Sequence, residues 1–101
     1  MEEIIFTLIS FGGEARSFAM EAIYHAKENN FEEAELALEN AKDRLEKAHV
    51  EQTKLIQGEA RGTKTEMTLL MVHAQDHLMN AITVKDLAKE MVDMYKRVGG
   101  N

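Results

Sequence analysis

Leu69-Leu70-Met71-Val72-His73-Ala74-Gln75-Asp76-His77-Leu78-Met79-Asn80 is an apolar run broken by polar side chains at helical spacing. On a helix that turns ~100° per residue, with His73 as origin, His77 falls at ~40°, Asn80 at about −20° and Asp76 at about −60°, so these four share one face. The rest of that face is Leu69, Leu70, Val84, Leu87, Ala88 and Met91, which reads as a core stripe. A core accepts imidazoles and a carboxylate only with partners, because each unpaired buried polar group costs about 1–3 kcal/mol and a bare charge more. The stretch therefore reads as a helix carrying a site that needs a ligand, a metal or a reaction.

Around it the chain offers little except further helix. Its 101 residues suit one domain, residues 1–101, with one modest core. There is no proline, and Ala, Glu, Leu, Lys and Met dominate, so an all-α fold is expected. With 18 acidic against 12 basic residues the formal net charge is −6, which disfavours nucleic acid as a partner, since that affinity rests on Lys and Arg neutralising phosphates. The absence of cysteine excludes disulfides and zinc–thiolate sites. No signal-peptide pattern is present, and no apolar run approaches the ~20 residues of a membrane span. A soluble, cytoplasmic protein without direct membrane insertion is expected.

A first helix over Glu2 to Lys27 places Ile4, Leu8, Phe11, Ala15, Phe18 and Ala22 on a seam of alternating four and three. Ile5, Ala19, Ile23 and Ala26 widen it, as contact on two sides requires. Gly12-Gly13 in its middle costs about 1 kcal/mol per glycine relative to alanine. Either the helix kinks there or another backbone comes close, the missing side chains leaving room beside a site. Glu28-Asn29-Asn30 ends the helix, asparagine tolerating the left-handed conformation of a C-cap.

A second helix over Phe31 to Gln57 carries Phe31, Ala34, Leu38, Ala41, Leu45, Ala48, Gln52 and Leu55 on its seam. Its acidic residues read as a solvated face, with Asp43 and Lys47 in the favourable i,i+4 order. His25 and His49 have no acid or second histidine placed to make a metal site with them and read as ordinary helix residues. Gly58-Glu59-Ala60-Arg61-Gly62 breaks this helix, and Thr63-Lys64-Thr65-Glu66 has the form of a capping box. A third helix is expected from Glu66 to Val98, with Lys96 and Arg97 near its negative end and Gly99-Gly100 as its stop.

Three long helices joined by short turns imply an antiparallel up-down-up bundle. The third is apolar on more sides than two neighbours cover: Met67, Met71, Leu78 and Ile82 lie roughly opposite Leu69, Leu70, Leu87 and Met91. Covering both sides takes further subunits, so a homo-oligomer with this helix near its middle is expected.

Val72-His73-Ala74-Gln75-Asp76-His77-Leu78-Met79, preceded by Leu69-Leu70-Met71, resembles the active-site signature of the lactose/cellobiose-type enzyme IIA component of the bacterial sugar phosphotransferase system. Gly13-Glu14-Ala15-Arg16-Ser17 followed by Ala19-Met20-Glu21-Ala22, Phe31-Glu32-Glu33-Ala34, and Ala48-His49 through Gln52-Thr53-Lys54-Leu55-Ile56-Gln57 resemble that family in order and spacing, so the likeness covers nearly the whole chain.

The resemblance implies a phosphoryl carrier that accepts its group from phospho-HPr on His73, as a phosphohistidine, and passes it to a cysteine of the cognate enzyme IIB. Uptake and phosphorylation of a β-linked disaccharide such as lactose or cellobiose follow. An imidazole, with a reference pKa of ~6.5, is largely neutral near pH 7 and a competent nucleophile. No phosphate-cradling loop is present, so the phosphoryl group must come from another protein. His77, one turn on, is expected to hydrogen-bond the phosphoryl oxygens. Gln75 lies ~160° from His73 and serves a neighbour's histidine if the helices gather around an axis. The resemblance points the same way, to a homotrimer, a nine-helix bundle, with sites at subunit junctions. It also implies that three Asp76 carboxylates meet on the axis and share a divalent cation, Mg²⁺ or another hard ion, which oxygen ligands suit. Two other classes compete: a metal-dependent bundle enzyme ligating through His73, Asp76 and His77, and a noncatalytic coiled-coil adaptor whose stripes serve assembly alone.

Overall fold

The computed structural model describes residues 2–99. They form three helices in sequence, α1 (Glu2–Lys27), α2 (Phe31–Ala60) and α3 (Leu69–Gly99), packed as an up-down-up bundle about 55 Å long. No strand occurs among the described residues. α1 lies between the other two, which touch each other far less than either touches α1. That is the two-sided contact expected from its widened apolar arc.

The turns follow from two residues in the left-handed region. Asn29 has φ 62°; the Asn30 N–H donates to His25 O (2.9 Å) and the Asn29 N–H to Ala26 O (3.0 Å), the paired bonds of a Schellman cap. Gly62, at φ 95°, closes α2 the same way, with Thr63 N–H to Gly58 O (2.9 Å) and Gly62 N–H to Glu59 O (3.0 Å). α2 therefore runs three residues beyond the expected Gln57. Gly58 is tolerated within the helix, and the reversal waits for the glycine that adopts positive φ.

The start of α3 also differs from expectation. Residues 63–68 are not helical, and the expected capping box at Thr63-Lys64-Thr65-Glu66 does not form. The cap is Thr68, whose Oγ1 accepts from the Met71 N–H (3.1 Å) while its carbonyl accepts from the Val72 N–H (3.1 Å). Met71 is the first α3 residue to enter the core, and Thr63, Lys64 and Glu66 have nothing to bury. At the far end Gly99 is still helical; Gly100, the other half of the expected stop, lies outside the described residues.

The core is built largely of alanine, which lets the helices approach closely. Ala15, Ala19, Ala22 and Ala26 of α1 meet Ala34, Ala41 and Ala48 of α2 and Ala74, Ala81 and Ala88 of α3, all without solvent exposure, with Leu8, Leu78 and Val92 as the larger fully buried side chains. Each such leucine contributes roughly 1.5–3 kcal/mol.

The face of α3 expected to be core is not the core of this chain. Met71, Ala74, Leu78, Ala81, Ala88 and Val92 face inward, whereas Leu69, Leu70, Leu87 and Met91 stand exposed beside His73, Asp76 and Asn80. Of the expected stripe only Ala88 is buried. α3 thus carries two apolar stripes, and the chain itself covers the one richer in alanine.

Candidate functional site

α3 brings His73, Asp76 and His77 to its first turns, just beyond the Thr68 cap. His73 and Asp76 are exposed and His77 is half-buried. The two imidazoles sit one turn apart with ring centroids 6.0 Å apart and planes inclined by 27°. A small group attached to the first ring therefore lies within reach of the second. Leu69, Leu70, Val72, His73 and Asp76 line one open, mostly apolar depression. Beside it is a second, in which Ser10, Glu14, Ser17 and Glu21 of α1 surround His77.

His77 is placed by glycine. A Cβ on Gly12 would lie 3.2 Å from His77 Cδ2, and one on Gly13 would lie 3.3 Å from His77 Nε2. α1 passes through both glycines as unbroken helix, and of the two readings of Gly12-Gly13 the close approach is the one observed. What approaches is the imidazole together with the α3 backbone behind it, Leu78 Cα being 3.6 Å from the Gly12 position.

Charge around the site is ordered from α2. Arg44 Nε donates to Glu14 Oε1 (2.8 Å), pinning a carboxylate of the His77 depression to the neighbouring helix. Arg44 also bonds Asp43, and Lys47 stands 3.3 Å from the same Asp43 carboxylate, as its i,i+4 spacing anticipates. The hydrogen bond from Lys47 outweighs the next-largest effect, an opposing one of burial, and with the Lys47 charge and Arg44 adding to it holds the Asp43 carboxyl below its ordinary value.

Gln75 points away from this cluster. Its Oε1 accepts from Gln52 Nε2 of α2 at 2.7 Å, and its own NH2 group meets Met71 Sδ at 3.9 Å. Gln52 is the residue whose part was not foreseen. A glutamine at a seam position between Ala48 and Leu55 was the available signal that a polar partner faces it.

Asp76 supplies one exposed carboxylate, and among the described residues no three His, Cys, Asp or Glu side chains converge within one chain to hold a metal. A monomeric metal site built from His73, Asp76 and His77 is therefore not what the geometry offers. A single carboxylate on an unpartnered helix face fits a shared ion only as one of several copies. No helix among the described residues is long and apolar enough to cross a membrane.

Comparison with known proteins supports the three-helix fold and points to a family. Residues 3–96 match the family described as PTS system, Lactose/Cellobiose specific IIA subunit. The lichenan-specific phosphotransferase enzyme IIA component of Bacillus subtilis is 60% identical over 98 residues, 97% of this chain and 89% of the relative. The crystal structure of the PTS cellobiose-specific enzyme IIA from Bacillus anthracis superposes with a TM-score of 0.96 at 55% identity, covering 99% of this chain and 92% of that one. The IIA(chitobiose) chain solved in complex with HPr from Escherichia coli gives a TM-score of 0.83 at 36% identity, covering 96% of this chain and 94% of that one.

Proposed function

The chain belongs to the lactose/cellobiose-specific IIA family of the sugar phosphotransferase system, and we propose that it works there, in the cytoplasm, as a phosphoryl carrier. A neutral imidazole nitrogen of His73 attacks the phosphorus of phospho-HPr; the N–P bond to His73 forms as the bond to HPr breaks. A thiolate of the cognate enzyme IIB then attacks the same phosphorus, an S–P bond forms, and His73 leaves as neutral imidazole. The sugar is a β-linked disaccharide, a class that the relatives named for cellobiose, lactose and N,N'-diacetylchitobiose support. The HPr complex of the chitobiose relative supports HPr as donor.

The observation that carries this reading is the exposed His73 imidazole in an open apolar depression, with the His77 ring 6.0 Å away. Phosphoryl transfer asks mainly for alignment and for charge stabilisation on the three peripheral oxygens. His77, held against α1 by the two glycines, donates an N–H to them. Apolar walls around His73 offer a partner protein a surface to cover, and that cover excludes water from the transfer.

The outer stripe of α3 supports a homotrimer. Leu69, Leu87, Met94 and Val98 are exposed at 86%, 53%, 54% and 74%, and with Asp76 and Asn80 they repeat at near-heptad spacing opposite the core. If Asp76 marks the direction of a threefold axis, His73 lies ~60° to one side of it and Gln75 ~100° to the other. Rotation about such an axis sets the first flank of one copy against the second flank of the next. Gln75 then donates to the phosphoryl group on a neighbour's His73. Three Asp76 carboxylates would then converge on the axis and would hold a hard divalent cation such as Mg²⁺, which would relieve their repulsion.

Sedimentation analysis of the purified chain together with stopped-flow transfer from its phosphorylated form to enzyme IIB tests the reading. A trimer that delivers one phosphoryl group per chain is expected. A monomer with undiminished transfer would remove the trimer and Gln75 from the account.

A further inference from the structure

The Gln52–Gln75 hydrogen bond joins α2 to α3, the two helices that touch each other least. Both glutamines are half-buried. The Gln75 oxygen is occupied by the Gln52 donor at 2.7 Å, whereas its NH2 group has the thioether of Met71 at 3.9 Å. A thioether sulfur is a weak acceptor. The result is a carboxamide with its acceptor edge satisfied and its donor edge held in reserve for a stronger partner.

A free glutamine amide presents either edge, because the oxygen and the NH2 group are nearly the same size. Toward a phosphoryl group the two edges act oppositely: the NH2 group donates a charge-assisted hydrogen bond, and the carbonyl oxygen repels. An anchor that only accepted would turn Gln75 the wrong way. Gln52 anchors it by donating. An apolar residue would suit the α2 seam at this position, between Ala48, fully buried, and Leu55, and it would leave the amide unanchored.

We infer that Gln52 is a positioning residue for phosphoryl transfer: its NH2 group fixes the Gln75 amide so that a donor, not an acceptor, faces the neighbouring subunit's phosphohistidine. This rests on the reading of Gln75 as serving a neighbour's His73. Gln52 touches no reacting atom and acts only through Gln75.

The experiment is a single-turnover cycle with phospho-HPr as donor on full-length wild type, Gln75→Ala, Gln52→Glu and the double variant, each first checked for helicity and assembly. Glutamate is nearly isosteric with glutamine, and once ionised it only accepts, so it takes the Gln75 NH2 group and turns the carbonyl outward. Gln52→Glu is expected to slow transfer by about 10-fold to 100-fold, the range for a lost hydrogen bond to a charged group, and to add nothing on the Gln75→Ala background. In ¹⁵N NMR spectra the Gln75 side-chain NH2 resonances should move on phosphorylation of wild type and stay still in Gln52→Glu. Gln52→Leu, which suits the seam, is expected to give a smaller loss and supplies the same readouts if the glutamate variant fails to fold. If Gln75→Ala slows transfer while Gln52→Glu and Gln52→Leu do not, the positioning role is wrong and the Gln75 reading stands. A wild-type rate for Gln75→Ala overturns both. A double variant well below Gln75→Ala shows Gln52 acting by another route and also overturns the inference.

Discussion

The Nε2 atom of His77 stands 3.3 Å from where a Cβ on Gly13 would lie. Gly13 is thus the absence of a side chain that lets an imidazole dock on α1. Gly13→Ala pits two effects against each other. Alanine raises helix propensity by about 1 kcal/mol, and the ring, the movable end of a side chain, must give by a few tenths of an ångström. The expected outcome is a variant as stable as wild type or more so by thermal melting, with phosphoryl transfer to His73 slowed several-fold. Unchanged transfer would detach His77 from the chemistry.

Thr68 supplies the cap at which the site-bearing helix begins. Thr68→Ala is expected to cost about 1 kcal/mol, seen as a lower melting temperature and faster amide exchange confined to the first turn of α3. Thr63→Ala, outside the helix, should do neither.

Asp76 is exposed on the outer stripe of α3. Where three copies bring it to an axis, three carboxylates in one place repel unless an ion or protons join them. Asp76→Leu is expected to keep or strengthen the trimer without metal, and Asp76→Asn to weaken metal retention. Elemental analysis alongside sedimentation checks both, with one divalent ion per wild-type trimer expected; a wild-type trimer containing no cation contradicts the metal assignment.

Asp43, paired with Lys47 and Arg44, has its carboxyl held below the ordinary value of 3.8. A carboxylate lowered on folding stabilises the native state above its unfolded pKa, and that contribution is lost as pH falls through the folded value. The pair is partly exposed, so the effect is small. Wild type and Asp43→Asn should differ in melting temperature at neutral pH and converge in strong acid. A constant difference across that range would mean that the ion pair does not carry it.

The three helices were legible because their apolar residues keep a three-four spacing and because Asn29 and Gly62 punctuate them. Which stripe of α3 faces inward was not legible from periodicity. Both stripes are apolar, and the choice falls to Ala74, Ala81 and Ala88, whose small size matters only once α1 lies against them. The same holds for Gly12-Gly13, where kink and close approach read alike until His77 arrives from α3. Thr68 was passed over because Thr63-Lys64-Thr65-Glu66 has the stronger local pattern, and packing at Met71 overrode it. His73, Asp76 and His77 could be grouped from spacing alone, since they share one helix. The Gln52–Gln75 pair spans two helices, and no single-helix pattern contains it.

We propose that His73 carries the phosphoryl group. Its most direct test is the intact mass of the protein after incubation with phosphoenolpyruvate, enzyme I and HPr, for wild type, His73→Gln and His77→Gln. One acid-labile phosphoryl group is expected on wild type, none on His73→Gln, and one, formed more slowly, on His77→Gln. An unmodified wild type beside an active HPr control, or a modified His73→Gln, contradicts it.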